Sequence, residues 1–454
     1  MDSDSPTQPT NTSRKRYGDD LKESPMHLSR RQILPILACL TTLGVHAQEN
    51  ESEAELLARA RGIHSRVLTL DTHKDISSDL ASEETPSDEK ERERFLLRTD
   101  PTLEGPNQVD FPKMRSGGLD AAFFIVYVGQ GSLDEEGFAR AAKQAQDKFD
   151  AIHRMARRFS EHIGLARTPD DVERIHKQGR LVACIGIENG YAMGTDISRI
   201  AKFHRMGARY MSIAHNGHSQ LGDSHTPAEP LHGGLTELGR GAIAELNRVG
   251  IMVDVSHASK KTMMQAVAHS KAPVLASHSA VDGIFPHGRN LDDEQLRALA
   301  AKGGVIQIVA FKSYVKGDDA RREAIAELRK ELNYPRRRSG EPISDSPEAI
   351  ETRRLFREGV AAIEAAHPPA NVSDFADHID YAVSVIGIDH VAISSDFDGG
   401  GGVNGWNTAA ETFNVTFELV RRGYTEEQIG KLWSGNTLRL WREVEAVSKR
   451  LQGE

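Results

Sequence analysis

Short aliphatic and β-branched runs recur along this chain at fairly even intervals, each closed by polar residues. They are 66-RVLTLDTHKD, 121-AAFFIVYV, 181-LVACIGIEN, 208-ARYMSIAH, 250-GIMVDVSH, 272-APVLASHS, 304-GVIQIVAF and 390-HVAISSDFDG. Runs of this length read as strands, and their continuous apolar character marks burial on both faces. Between most of them the apolar positions take up a helical period, over 135–160, 168–178, 197–206, 236–249, 260–270, 292–302 and 372–386. Gly207, Gly250 and Gly303 follow apolar-periodic segments, where a helix C-terminus favours a residue that tolerates positive φ. Eight strands alternating with helices predict an α/β fold, a (β/α)8 TIM barrel. Two stretches exceed what such a barrel needs, 76–118 and 312–371, and both are expected as loop insertions on its C-terminal face, where barrel enzymes build their sites.

Composition narrows the class of protein. The 454 residues are 38% hydrophobic and 27% charged, enough to bury a large core. Lys plus Arg number 57 against 66 Asp plus Glu, a net charge of -9 with no long basic run, which argues against nucleic acid and for a small-molecule partner. The first 24 residues are polar and lack apolar periodicity, so disorder is expected there. Arg30 and Arg31 then precede an apolar stretch from Ile33 to Val45 and a small-residue site around His46 and Ala47, the layout of an export signal. That stretch is too short for a transmembrane span. Residues 1–48 are therefore expected as disordered terminus plus export signal and 49–454 as the barrel domain. The protein is expected to be periplasmic or secreted, by the twin-arginine or the ordinary secretory route. Ile36-Leu37-Ala38-Cys39 is a poor lipoprotein box, so a lipid anchor is not expected. The two cysteines, Cys39 and Cys184, leave one after cleavage and hence no intrachain disulfide.

The strand ends bring in chemistry. The first predicted strand ends in His73 and Asp75, the third in Glu188, the fourth in His215, the fifth in His257, the sixth in His278 and the eighth in Asp396. A lone histidine at a strand end is usually a hydrogen-bonded structural residue; six of eight strands stopping this way makes that explanation poor. His73 and Asp75 lie two apart, so on an extended strand both point to one side. Imidazole and carboxylate ligands without thiolate fit a Zn²⁺-like ion. Five candidate ligands, His73, Asp75, Glu188, His257 and His278, exceed one open catalytic site and suit two metals sharing a carboxylate. Such a pair, about 3.5–4 Å apart, can deprotonate a bridging water.

The segments DTHKD at 71, GIENG at 186, SIAHNGHSQLGDS at 212, ELNRVGIMVDVSHAS at 245, APVLASHSA at 272, GRNLDD at 288 and SSDFDGG at 394 resemble the membrane dipeptidase, or renal dipeptidase, family of binuclear zinc peptidases. The resemblance runs from about residue 64 to 440. It implies a metallo-dependent hydrolase barrel with two Zn²⁺ per chain, His73 and Asp75 on one ion, His257 and His278 on the other, and Glu188 bridging them. It further implies that His215 contacts the scissile carbonyl oxygen, Arg289 holds the C-terminal carboxylate of a dipeptide substrate, and Asp396 handles the proton. A guanidinium suits a carboxylate by its bidentate fork. The alternative for Arg289 is a surface pair with Asp292 or Asp293. The first metal motif departs from the family in Thr72 and Lys74, which stand where Gly and Asn are usual; Lys74 is expected on the opposite strand face, paired to a carboxylate. Rival readings are another amide, lactone or β-lactam hydrolase on the same scaffold, and a catalytically silent binding protein. The oligomeric state is open, a homodimer included.

Overall fold

All eight apolar runs form strands in the computed structural model, which describes residues 51–335 and 346–454, within a unit spanning Glu51–Glu454. The expected export signal lies outside the described residues. In chain order the strands are β1 (Leu70–Asp75), β2 (Ala121–Tyr127), β3 (Ile163–Leu165), β4 (Leu181–Glu188), β5 (Ala208–Ser212), β6 (Met252–Asp254), β7 (Val274–Ser279), β8 (Val305–Val309) and β9 (Val391–Ser394). All pairings are parallel, in the order β1-β2-β4-β5-β6-β7-β8-β9. The unexpected β3 is three residues long and, among the described residues, pairs only with the beginning of β4, Leu181 to Ala183, off that path.

The sheet closes on itself at a narrow seam. Lys74 and Phe397 form a parallel bridge there, and the Asp75 N–H donates to the Phe397 carbonyl at 2.8 Å. Asp71 reinforces the seam from inside: its Oδ1 accepts the Ser395 N–H at 2.9 Å, and its Oδ2 accepts the Ser395 hydroxyl. The result is a (β/α)8 barrel.

Each predicted helix forms within two residues of its expected bounds, for example Glu135–Arg158 and Val372–Ile386. Gly250 caps the helix Glu237–Val249 at φ 87°, the left-handed conformation that a side chain would strain. Inside the barrel, Leu70, Phe123, Val182, Met252, Leu275 and Val305 make an apolar plug at the strand beginnings. The helix Asn436–Gln452 seals that end with Leu438, Leu440 and Trp441, the last 5.9 Å from Phe123 between ring centroids. The other mouth, where the strands end, is left for polar side chains.

The insertions fold as helices. The first forms Glu89–Thr99 and Phe111–Gly117 and is pinned to the turn after β9 by Gln108. That residue's side chain donates to the carbonyls of Gly401 (2.9 Å) and Asn407 (2.7 Å) and accepts from the Asp398 N–H (2.7 Å). The second forms Lys312–Val315, Asp319–Glu331 and Pro347–Ala366. Among the described residues no helix is long and apolar enough to cross a membrane.

Candidate metal centre

Because the strands are parallel, their C-terminal ends share one mouth, and the candidate ligands meet there. His73 and Asp75 lie on β1, Glu188 ends β4 and His278 lies within β7. His215 and His257 sit three residues past β5 and β6, in the turns rather than on the strands, and Asp396 two past β9. His73 Nε2 stands 4.0 Å from Asp75 Oδ2, 3.6 Å from Glu188 Oε2 and 3.8 Å from Asp396 Oδ1. Glu188 Oε1 is 3.1 Å from His257 Nε2, 3.2 Å from His278 Nε2 and 3.7 Å from His215 Nε2. Among the described residues three candidate ligand groups result, each with donor atoms within 4.8 Å of one another: His73, Glu188 and His278; Glu188, His215 and His257; His73, Asp75 and Asp396. Glu188 and His73 each belong to two of them.

Simple strand alternation does not hold through β1. Pairing jumps from Asp71 opposite Ala122 to Lys74 opposite Phe124, an extra residue that makes a bulge. Thr72 uses the bulge to donate its hydroxyl to the carbonyls of Ser277 (3.0 Å) and Ile393 (3.3 Å), a cross-brace that a glycine could not make. Lys74 turns away from the ligands to Asp398 Oδ2 at 3.2 Å and over the Phe124 ring, so its charge is answered behind the site.

Hydroxyl groups orient two of the imidazoles. Tyr210 donates to the Thr72 carbonyl at 3.0 Å, so its oxygen accepts from His73 Nδ1 at 2.9 Å and turns Nε2 toward the carboxylates. Ser277 Oγ stands 2.8 Å from His278 Nδ1 and donates to Asp254 Oδ2 at 2.6 Å. His73 Nε2 and Asp75 Oδ1 are buried without any hydrogen-bond partner, and buried polar atoms are rarely left so unless something else binds them.

The electrostatics ask for positive charge. Burial opposes a proton on His73, yet the carboxylates of Glu188, Asp396 and Asp75 outweigh it and push its pKa up to about 9. Burial, then Glu188, raises Asp75 to about 6, and burial, with Asp75 and Glu188 adding, puts Asp396 well above the usual carboxylate range. Burial and the Arg289 charge hold His257 well below its ordinary value, and burial, His73 and Arg289 do the same to His278, so both are neutral donors. Nitrogen and oxygen donors with unsatisfied lone pairs around three carboxylates fit a divalent cation.

Two of these residues hold strained backbone: His257 at φ 65° and Asp396 at φ 57°, both left-handed. Such conformations persist where the surroundings over-determine them, commonly at functional sites. Arg289 is 3% exposed. It donates to the His278 carbonyl (2.7 Å) and Ser279 Oγ (3.2 Å) and lies over the Tyr314 ring. The surface pairing considered for it is not found: Asp292 pairs with Lys260 and Asp293 with Arg297. Arg289 lines a small cavity of about 40 Å³ with His257 and His225, whereas Asp75, Glu188, His215, His257, His278 and Asp396 line a large one of about 1080 Å³.

Residues 57–454 match the family model described as membrane dipeptidase, peptidase family M19. The chain belongs to that family. Dipeptidase aclJ of Aspergillus oryzae is 30% identical over 76% of this chain and 72% of its own length, and dipeptidase tcpJ of Claviceps purpurea is 29% identical over 78% and 74%. Among solved structures, the "probable dipeptidase PvdM" of Pseudomonas aeruginosa is 31% identical, covers 87% of this chain and all of its own, and superposes with a TM-score of 0.72. As an M19 member this chain is a hydrolase. Its M19 motifs pointed to the ligand candidates but not to Tyr210, Ser277 or Asp254 behind them. Tyr210 and Ser277 stand in apolar runs like any packed residue. Asp254 interrupts one, the only signal that could have found it.

Proposed function

We propose that the protein is a binuclear zinc dipeptidase, with His73, Asp75 and Glu188 holding one Zn²⁺ and Glu188, His257 and His278 the other. The observation that carries this reading is Glu188, whose Oε2 faces His73 while its Oε1 faces His257 and His278. Bound zinc would acidify a water between the two sides and polarise the scissile carbonyl. The remaining work falls to the protein's own groups. Asp396, 3.8 Å from His73, takes the proton released during attack and returns it to the leaving amine. His215 is kept below its ordinary pKa by burial and stands edge-on to Tyr127. It donates a hydrogen bond to the oxygen on which charge develops. Arg289 neutralises the substrate's terminal carboxylate.

Incubation with zinc and L-L and L-D dipeptides tests the reading: about two zinc per chain and hydrolysis support it, and a chain that binds zinc yet leaves every dipeptide intact refutes it. A second reading is favoured by one observation, that Arg289 lines the small cavity and not the large one. A substrate in the large cavity would then need no free carboxylate, as for a lactone or simple amide hydrolase, whereas N-acyl-amino-acid and β-lactam substrates that carry a carboxylate would still call on Arg289. Dipeptides and their C-terminal amides separate the two. A KM for the amide at least tenfold higher supports the dipeptidase, and equal values support the alternative. Export to the periplasm or cell exterior remains part of the proposal, carried by the Arg30-Arg31 signal.

A further inference from the structure

Behind His278, on the side away from Glu188, lies a carboxylate with no evident reason to sit in an apolar strand. Asp254 ends β6 and is fully buried. Its Oδ1 accepts the backbone N–H groups of Ser256 (3.0 Å) and Ser277 (2.9 Å), which keep the side chain an acceptor; its Oδ2 accepts the Ser277 hydroxyl at 2.6 Å. A hydroxyl has one proton. With that proton directed to Asp254, Ser277 Oγ can only accept from His278 Nδ1, 2.8 Å away. The imidazole must then carry its hydrogen on Nδ1 and expose the Nε2 lone pair, which points to within 3.2 Å of Glu188 Oε1 and 2.9 Å of His257 Nε2.

We propose that Asp254 is a positioning residue for metal binding: acting through the Ser277 hydroxyl, it fixes the ligating tautomer of His278 and backs that ligand with negative charge. The inference rests on the reading that the centre holds metal. The two sides of the centre are backed unequally, since His73 leans on the neutral phenol of Tyr210 and His278 on a hydroxyl tied to a carboxylate. Outer partners of this kind orient metal-bound histidines and raise their basicity, and losing one typically lowers metal affinity about 10–100-fold.

The test uses the full chain and zinc, with affinities read by chelator competition. Ser277→Ala removes the relay yet leaves both backbone hydrogen bonds of Asp254. Asp254→Asn supplies an amide that can donate to Ser277 Oγ, turning the hydroxyl toward Nδ1 and favouring the wrong tautomer. Ser394→Ala is the control, because Ser394 Oγ is equally buried but has no hydrogen-bond partner. Ser277→Ala and Asp254→Asn should each weaken one of two zinc ions by about 10–100-fold, with Ser394→Ala unchanged. Wild-type zinc affinity in Ser277→Ala, or equal weakening in Ser394→Ala, overturns the inference alone. A wild type that takes up no zinc overturns the metal reading and this inference with it.

Discussion

Asp396 joins two demands in one residue, a carboxylate facing His73 and a left-handed backbone at φ 57°. The side chain carries the proton-transfer role proposed for it and the backbone bears the cost, roughly 1 kcal/mol for a residue with a Cβ. Asp396→Gly should therefore be more stable than Asp396→Ala by about 1 kcal/mol in urea unfolding, with both inactive; equal stability would mean that the conformation is unstrained. Asp396→Asn should keep the fold and lose about 10²–10⁴-fold in kcat, measured at saturating dipeptide. Gly186 shows the opposite relation between space and chemistry. A Cβ there would stand 2.2 Å from the Tyr210 ring, the ring whose hydroxyl holds His73. Gly186→Ala should lower zinc affinity although it touches no ligand. At this scale the sequence disclosed, by type and place, the candidate ligands that the fold brings together. It hid the bulge at Thr72, because an extra residue in one strand leaves no mark on an apolar pattern, and it hid the burial of Arg289.

Among the elements, stability is unevenly spread. The helix Glu135–Arg158 buries seven residues, including Phe149, Ile152 and Met155, and supplies Lys148 to the cavity wall, whereas Pro347–Ala366 buries none. Backbone hydrogen bonds that are covered by little apolar packing open with low free energy. Amides of Pro347–Ala366 should exchange with deuterium well ahead of those in Glu135–Arg158; matching protection would show that the second insertion is held by contacts other than its own packing. The helices were legible because their apolar period is long and ends in glycine, while β3 was not, since three residues give no period to read. Among the described residues, the first of the two expected insertions walls the large cavity broadly, through residues such as Leu80, Phe95 and Leu103, and the second reaches it with Tyr314 alone. Sequence could place both on the same face but could not tell which bends inward.

For the whole molecule, several buried or half-buried histidines are kept from taking a proton. Burial, then the charges of Arg209, Arg205 and Arg167, hold His204 down to about 4, and burial lowers His64 and His378. The unfolded chain would protonate these groups near pH 6.5, the folded chain only at lower pH. Their contribution to stability is thus complete above about pH 6.5 and is lost as the pH falls toward 4. The urea midpoint of the metal-free protein should drop across that window, and His204→Gln should flatten the drop; an unchanged slope would remove His204 from the account. The barrel itself was readable from eight apolar runs, but its closure was not, because the seam depends on Asp71 and Ser395, two polar residues 324 positions apart. That distance has a consequence for synthesis. His73 and Asp75 leave the ribosome early, while Asp396 and the Phe397 contact that closes the ring come near the end. A nascent or prematurely terminated chain holds an open sheet with a scattered donor set, so no fragment can assemble the candidate centre before the protein is nearly whole.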